Sequence, residues 1–122
     1  RGLSAGLLGN PVEEAFIPHT GIIETDEQGN FVRIIEKPKL EDAPSNLNNS
    51  SFYVLNKEIF ELARTLPANL QRGEFELTDA INAYIASGGV IAVGEAKGDY
   101  MECGSPSGWL RANNAMAELQ KN

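Results

Sequence analysis

Short apolar stretches alternate with polar, glycine-containing ones along this chain, and their periods predict strands first and helices later. Three early runs are rich in β-branched and aromatic residues and have the length of strands. The first two runs flank a polar segment in which a glycine can take a positive φ, a pattern typical of a β-hairpin. The predicted strands cover residues 21–25, 31–35 and 52–55, with Gly29 in the hairpin turn.

Helical periodicity begins after the third strand. Asn56 precedes an amphipathic stretch that ends before Pro67, which favours a helix with an asparagine cap. A second helix is expected from Thr78-Asp79 to the paired glycines 88–89, and a third from Ser105-Pro106. Two short strands are expected between them, at residues 90–93 and 100–103. The predicted inner faces are Leu77, Ile81, Tyr84 and Ile85 in the second helix, and Trp109, Ala112, Met116 and Leu119 in the third.

The resulting element order, β-β-β-α-α-β-β-α, predicts an α/β fold with a mixed sheet and helices packed on it. Residues 1–20 show no sustained period, because glycines and a proline interrupt their leucines. We therefore expect an irregular segment over residues 1–20 and a single domain over residues 21–122. Only five short strands are available, and no βα unit precedes them.

Composition and charge narrow the range of partners. The 122 residues suit one domain, and 42% hydrophobic with 22% charged residues is ordinary for a globular protein. A net charge of -7 argues against nucleic acid or an acidic membrane as partner, while it allows one small anion in a basic pocket. Cys103 is the single cysteine, and no apolar run reaches about 18 residues. These features predict a cytoplasmic location.

The first candidate for chemistry is the pair Glu36 and Lys37, which follows the second predicted strand. Pro38 cannot continue a sheet ladder, so both charges stand at the carboxyl end of that strand. Open α/β sheets bind ligands at such ends. A carboxylate accepts hydrogen bonds from hydroxyls and an ammonium attracts phosphate, so the pair suits a sugar phosphate. The alternative is a strand end that exposes its charges to water.

Arg72 and Glu102 are two further charged residues next to predicted helices or strands. Arg72 stands beside Gly73 in the loop before the second helix, where it can bind a phosphate with two hydrogen bonds or remain a solvated charge. Glu102 follows the last predicted strand. A carboxylate there can hold Mg²⁺, which takes one or two protein carboxylates together with phosphate oxygens and water. The alternative for Glu102 is a structural charge at a strand end.

Four blocks of this sequence resemble the sugar-nucleotide pyrophosphorylases, the nucleotidyltransferases that join a sugar 1-phosphate to a nucleoside triphosphate. The blocks are GIIETDEQGNFVRIIEKPK, APSNL followed by SSFYVL, RGEFELTDAI, and YMECGSPSGWLRAN. They occur in the order and approximate spacing of the family, over about residues 21–114. The likeness is strongest to the UTP–glucose-1-phosphate uridylyltransferases, while RGEFELTD is also similar to the thymidylyltransferases. It implies the C-terminal, sugar-phosphate-binding half of a Rossmann-like nucleotidyltransferase domain.

The resemblance also implies roles for individual residues. Gly21 would approach the sugar, and Glu36 would accept hydrogen bonds from its hydroxyls. Lys37 and Arg72 would contact the phosphate of a sugar 1-phosphate, with glucose 1-phosphate as the expected sugar and UTP or dTTP as the nucleotide. Glu102 stands where the family usually has an aspartate that binds Mg²⁺. The additional methylene of the glutamate is a departure from that pattern.

The family's nucleotide-binding half has a glycine-rich loop with Thr-Arg and a further metal-binding aspartate, and neither is recognisable here. Two interpretations stay open. The chain is either the sugar-binding half of an active enzyme, which needs an N-terminal half or a parent chain, or a non-catalytic remnant that acts as a binding or dimerisation module. A sheet without its first-half strands would leave an unpaired edge, so we also expect a homo-oligomer.

Overall fold

The computed structural model describes residues 5–68 and 73–121 and shows an α/β fold with one five-stranded mixed sheet. The strands are β1 (Gly6–Pro11), β2 (Gly21–Thr25), β3 (Phe31–Glu36), β4 (Leu47–Val54) and β5 (Ala92–Glu95), and the helices are α1 (Lys57–Thr65), α2 (Leu77–Ala86) and α3 (Pro106–Leu119). Short 3₁₀ helices cover Glu14–His19 and Leu40–Asp42. The predicted fold class is confirmed.

The strands lie in the order β3-β2-β4-β1-β5. Strand β1 runs antiparallel to β4 and parallel to β5, and β2 forms an antiparallel hairpin with β3. The main core lies on the face of the sheet that α1 and α2 cover. Its buried members are Ala5, Leu7, Ile23, Phe31, Ile59, Ala80, Ile81, Tyr84 and Ile91.

The prediction of an irregular segment over residues 1–20 is wrong for residues 6–11, which form β1. Its glycines hide the strand because they interrupt the alternation of apolar and polar side chains. Gly9 is required by packing: a Cβ atom there would lie 2.9 Å from Cδ1 of Ile23 and 3.1 Å from Cβ of Leu47. Gly9, which resembles a loop residue in the sequence, therefore lies where neighbouring strands approach each other closely.

The last part of the sheet also differs from the prediction. The strand expected at residues 90–93 is displaced to Ala92–Glu95, and the one expected at residues 100–103 is not a strand. The register explains the displacement, since β5 pairs with β1 from Gly6–Ala92 to Gly9–Glu95. The observed order is therefore β-β-β-β-α-α-β-α.

The β2–β3 hairpin is formed as predicted, with Gly29 at a φ of 80°. One carboxylate organises its turn. Oδ1 of Asp26 accepts hydrogen bonds from the backbone N–H of Asn30 at 2.8 Å and of Gln28 at 2.9 Å. The bond from Asn30 is the main reason that the pKa of Asp26 lies below its ordinary value. Because these donors stabilise the ionised carboxylate, the turn is held by a charge-assisted interaction.

The first two helices follow their predicted faces in part. Oδ1 of Asn56 accepts the N–H of Ile59 at 3.1 Å, which confirms the predicted cap of α1. In α2, Ile81 and Tyr84 are buried as expected. Leu77, the first residue of the helix, is 40% exposed.

The predicted inner face of α3 is wrong for most of its members. Ser105 caps this helix as expected, accepting the N–H of Gly108 at 3.1 Å. Ala112 is buried, whereas Trp109, Met116 and Leu119 are each more than half exposed. Within the described chain, most of the large apolar side chains of this helix are therefore not covered. None of the described helices combines the length and the apolar character that a bilayer span requires.

Replacing Asn56 tests how the helices are joined, because its side chain serves two elements. Its Oδ1 caps α1, and its Nδ2 donates to the Tyr84 hydroxyl of α2 at 2.9 Å. We expect Asn56→Ala to lower the free energy of unfolding by about 1–2 kcal/mol, measured by urea denaturation. Asn56→Asp keeps the cap and removes the donor, so it should lose less. Equal stability of all three proteins would contradict the assignment.

Candidate functional site

The predicted sugar-binding residues Gly21 and Glu36 lie directly opposite each other in the β2–β3 ladder. Gly21 begins β2 and Glu36 ends β3, so the pair lies at the end of the hairpin opposite the turn. A Cβ atom at position 21 would lie 2.9 Å from Oε2 of Glu36 and 2.9 Å from Cγ2 of Ile34. The missing side chain of Gly21 thus allows the Glu36 carboxylate to lie across the start of β2.

Lys37 follows this pair in an uncommon backbone conformation. Its φ is 48°, in the left-handed region that costs a residue with a side chain about 1–2 kcal/mol. Its N–H donates to the Thr20 carbonyl at 3.0 Å and extends the hairpin by one bond, and the next residue, Pro38, is buried. No described carboxylate forms an ion pair with the Lys37 ammonium. The cation is therefore exposed and available to a ligand, on a backbone that the ladder holds fixed.

The register places this group of residues beside the middle of the sheet. Ile22 pairs with Asn48 of β4, and Asn48 pairs with Asn10 of β1. The Gly21–Glu36 pair lies one residue further along, level with Asn49 of β4 and Gly9 of β1. The end of the hairpin that carries Gly21 and Glu36 is therefore next to β4, the middle strand of the sheet.

Two buried asparagines occupy the neighbouring row, and sequence reasoning missed both. Asn10 is 6% exposed and its Nδ2 donates to the Gly98 carbonyl at 3.4 Å. Asn48 is 1% exposed, and its Oδ1 has no hydrogen-bond partner among the described residues. A buried acceptor without a donor costs about 1–3 kcal/mol. Asn10 follows the apolar residues of β1, which could have indicated it, whereas Asn48 lies in a polar run of β4 and had no such signal.

Glu102 lies three residues before Ser105, the cap of α3, and among the described residues it makes no hydrogen bond or ion pair with Glu36 or Lys37. Its Oε2 accepts the Ser105 hydroxyl at 3.0 Å. A Cβ atom at position 104 would lie 2.7 Å from its Oε1, and one at position 108 would also collide with the carboxylate. Gly104 and Gly108 thus leave room for the Glu102 side chain, which is longer than the aspartate usual in the family. The positive end of the α3 dipole favours the negative charge of the Glu102 carboxylate.

A groove of about 310 Å³ adjoins Glu102 and combines acidic, phenolic and guanidinium groups. Arg111 of α3 is a cation in this groove that sequence reasoning did not select. Within residues 5–68 and 73–121, no three His, Cys, Asp or Glu side chains are grouped as a metal site. Arg72, the other predicted phosphate ligand, lies outside the described residues. The groove is lined by Phe16, Asp99, Tyr100, Met101, Glu102, Gly108, Arg111 and Ala115.

Comparison with known sequences identifies similar enzymes. The sequence model of the Nucleotidyl transferase family matches residues 7–118. A UTP–glucose-1-phosphate uridylyltransferase of Pseudomonas aeruginosa is 37% identical over 98 residues, which cover 77% of this chain and 34% of that protein. The bifunctional protein GlmU of Methanococcus maripaludis strain C7 is 36% identical over 94 residues, covering 77% of this chain and 22% of that protein.

Solved structures give the same result. A UDP-glucose pyrophosphorylase complexed with UDP-glucose superposes with a TM-score of 0.72 at 30% identity, covering 93% of this chain and 44% of that one. The UTP-bound UGPase from Acinetobacter baumannii has a TM-score of 0.72 at 29% identity, covering 89% of this chain and 38% of that one. The chain therefore spans less than half of these structures and about a fifth to a third of the curated relatives it matches.

The backbone at Lys37 gives a test of strain at the site. We expect Lys37→Gly to raise the free energy of unfolding by about 1 kcal/mol relative to Lys37→Ala, because glycine adopts a positive φ without a steric cost. Lys39, at a φ of −65°, is the matched control. There the glycine variant should have no higher free energy of unfolding than Lys39→Ala. Urea denaturation measures both pairs. If glycine gives no advantage at position 37, Lys37 is not held in a strained conformation.

Proposed function

This chain belongs to the nucleotidyl transferase family of sugar-nucleotide biosynthesis, and on that premise we propose that it is the sugar-phosphate-binding part of such an enzyme. In this proposal it binds a sugar 1-phosphate, with glucose 1-phosphate as the first candidate, for transfer onto UTP or dTTP. The observation that carries the proposal is the Glu36–Lys37 pair, which the hairpin presents as an exposed carboxylate and an exposed ammonium that pairs with no carboxylate of the described residues.

Each residue of this group supplies one interaction. Because Gly21 has no side chain, the Glu36 carboxylate lies against the start of β2, where it would accept hydrogen bonds from the hydroxyls of a sugar near Gly21. The Lys37 ammonium attracts the phosphate, and Arg72 would add a second, planar phosphate contact. Carboxylate and ammonium are adjacent in the chain but recognise different parts of the ligand. This combination distinguishes a sugar phosphate from a free sugar and from inorganic phosphate.

The proposed reaction is attack by a phosphate oxygen of the sugar 1-phosphate on the α-phosphorus of the nucleoside triphosphate. A new P–O bond forms there, and the bond from the α-phosphorus to the pyrophosphate leaving group breaks. In phosphoryl and nucleotidyl transfer, proteins contribute mainly by positioning reactants and neutralising charge. In this proposal Lys37 and Arg72 hold the attacking phosphate, and the triphosphate site belongs to the part of the enzyme that this chain does not span. The alternative of a non-catalytic remnant is not favoured, because the relatives include named uridylyltransferases.

Glu102 is the residue we propose for Mg²⁺, and its surroundings allow a single-carboxylate site. Its Oε2 is engaged by Ser105, and the carboxylate remains exposed beside the groove. One protein carboxylate is enough when phosphate oxygens and water complete the coordination. When bound, the ion would supply positive charge for the phosphates.

Glucose 1-phosphate binding tests the proposal directly. We expect Lys37→Ala and Arg72→Ala each to weaken binding about ten- to a hundredfold, which corresponds to roughly 1.5–3 kcal/mol for a charge-assisted bond. Calorimetry on the purified chain is the measurement. Lys57→Ala is the matched control, because that lysine is 89% exposed on α1 and pairs with Glu61. Unchanged affinity in both test variants would show that Lys37 and Arg72 are solvated charges that do not bind the ligand.

Glu36 and Lys37 can be separated in the same assay. Glu36→Gln should reduce the affinity for glucose 1-phosphate and leave that for inorganic phosphate unchanged, because only the sugar offers hydroxyl donors. Equal losses for both ligands would show that Glu36 acts on the site as a whole and not on the sugar.

The Mg²⁺ assignment is tested by shortening the carboxylate. We expect Glu102→Asp to bind Mg²⁺ roughly tenfold more tightly, because it restores the shorter carboxylate that the family usually has at this position. Titration calorimetry of Mg²⁺ in the presence of UDP-glucose measures this without any turnover. Glu118→Asp, near the other end of α3, should change nothing. If aspartate brings no gain, Glu102 is a structural charge at the helix start.

A further inference from the structure

Beyond the end of β5, the chain stays attached to the sheet through one buried side chain. The last backbone bond to β1 runs from the N–H of Ala96 to the Gly9 carbonyl at 2.8 Å. Two residues later, the Gly98 carbonyl accepts a hydrogen bond from Nδ2 of Asn10 at 3.4 Å. Asn10 is 6% exposed and lies at the carboxyl end of β1, next to Pro11. An amide side chain thus extends the connection beyond the point where backbone pairing stops.

Residues 97–101 have little other support. In the described part of the chain, the one other hydrogen bond to this segment is a long contact from the Cys103 thiol to the Met101 carbonyl, at 3.9 Å. Gly98 has a φ of 109°, a conformation that favours glycine, so the chain turns at the residue that Asn10 holds. Loss of the Asn10 donor would therefore release this segment from the sheet.

Glu102 follows the segment and is already fixed on its other side. Its Oε2 accepts the Ser105 hydroxyl at 3.0 Å, and Ser105 caps α3. The missing side chain of Gly108 lets the carboxylate lie against the first turn of this helix. Glu102 therefore lies between two anchors, the cap of α3 and the Asn10–Gly98 bond. The second anchor joins it to the sheet.

Asn10 also connects this segment with the candidate sugar site. Asn10 pairs with Asn48 of β4, and Asn48 pairs with Ile22 of β2. Ile22 is next to Gly21, the first residue of that strand and a member of the candidate site. One row of residues across three strands thus has the sugar-site hairpin at one end and the segment before Glu102 at the other.

We infer that Asn10 is a positioning residue that fixes the Glu102 carboxylate relative to the sugar-phosphate site. The inference rests on the proposed function, in which Glu102 binds Mg²⁺, and it adds a residue that contacts neither the ion nor the sugar. A hydrogen bond that holds the segment of a metal ligand raises metal affinity, because the ligand then needs less reorganisation on binding. A buried amide suits this role, since packing on the sheet fixes its position.

The alternative is a purely structural amide that satisfies the Gly98 carbonyl. Replacing such a residue lowers the free energy of unfolding but leaves the ligand affinities of the folded protein unchanged. The two roles therefore differ in the Mg²⁺ affinity and in the mobility of the segment, and stability alone does not separate them.

Titration calorimetry of Mg²⁺ on the 122-residue chain, in the presence of UDP-glucose, is the first measurement. We expect Asn10→Leu, which replaces the amide by an apolar group of similar size, to weaken Mg²⁺ binding about tenfold, as removal of an outer-shell partner does. Its affinity for glucose 1-phosphate should not change, because Lys37 lies on another element. Asn10→Gln keeps the amide donor and should bind Mg²⁺ more tightly than Asn10→Leu. Asn10→Ala is a second variant without the donor, and circular dichroism verifies that each protein is folded.

A spin label tests the anchor itself. Cys103 is the single cysteine of the sequence, is exposed and directly follows Glu102. A nitroxide on Cys103 should become more mobile in Asn10→Leu, which narrows its electron paramagnetic resonance lines. Asn48→Leu is the matched control, because Asn48 is also buried in this row but makes no hydrogen bond to residues 97–101 among the described residues. It should change neither the line shape nor the Mg²⁺ affinity.

Several results would overturn the inference. They are unchanged Mg²⁺ affinity or unchanged label mobility in Asn10→Leu, an equal loss in Asn48→Leu, and equal losses of Mg²⁺ and glucose 1-phosphate affinity, which would show general damage to the fold. Glu102→Ala, measured alongside, separates this inference from the proposed function. If Glu102→Ala loses Mg²⁺ affinity and Asn10→Leu does not, only the inference fails. If Glu102→Ala keeps full affinity, the proposed metal role of Glu102 fails and the inference fails with it.

Discussion

Strand β1 joins β5 to the other strands of the sheet, because it pairs with β4 on one edge and with β5 on the other. The pairing depends on Gly9, where any side chain would collide with Ile23 and Leu47. A further contact anchors the irregular part of β4, since the Ser50 hydroxyl donates to the Leu8 carbonyl at 2.6 Å, where the register shifts. Without β1, the segment that carries β5 and α3 would lose its ladder to the rest of the sheet.

The candidate site depends on the same ladder through β4. Asn48 pairs with both Asn10 and Ile22, so β4 fixes where the hairpin lies along the sheet. The hairpin in turn fixes Gly21 against Glu36 and holds the backbone of Lys37 at a positive φ. Strain of this kind persists where the surroundings determine the backbone, and it is common at functional sites. Backbone pairing thus sets the geometry of an exposed pair of charged residues, Glu36 and Lys37.

Several large apolar side chains are exposed in the part of the chain that the structure describes. Phe52 and Val54 on the sheet and Trp109, Met116 and Leu119 on α3 are each more than half exposed. Contiguous apolar surface of this kind usually marks an interface. The chain spans less than half of the solved structures it resembles. The predicted homo-oligomer stays a prediction.

Local chemistry in the sequence determined the hairpin, the Asn56 and Ser105 caps, the end of β3 at Glu36 and the likeness to the nucleotidyl transferase family. Those features depend on residues close together in the chain, such as Asp26 with Asn30 or Asn56 with Ile59. Only the tertiary structure revealed β1, because its glycines are explained by strands that lie distant in sequence. It also decided that residues 100–103 are not a strand and that α3 is largely uncovered. These properties depend on which segments become neighbours in space, and long-range pairing leaves no period in the sequence.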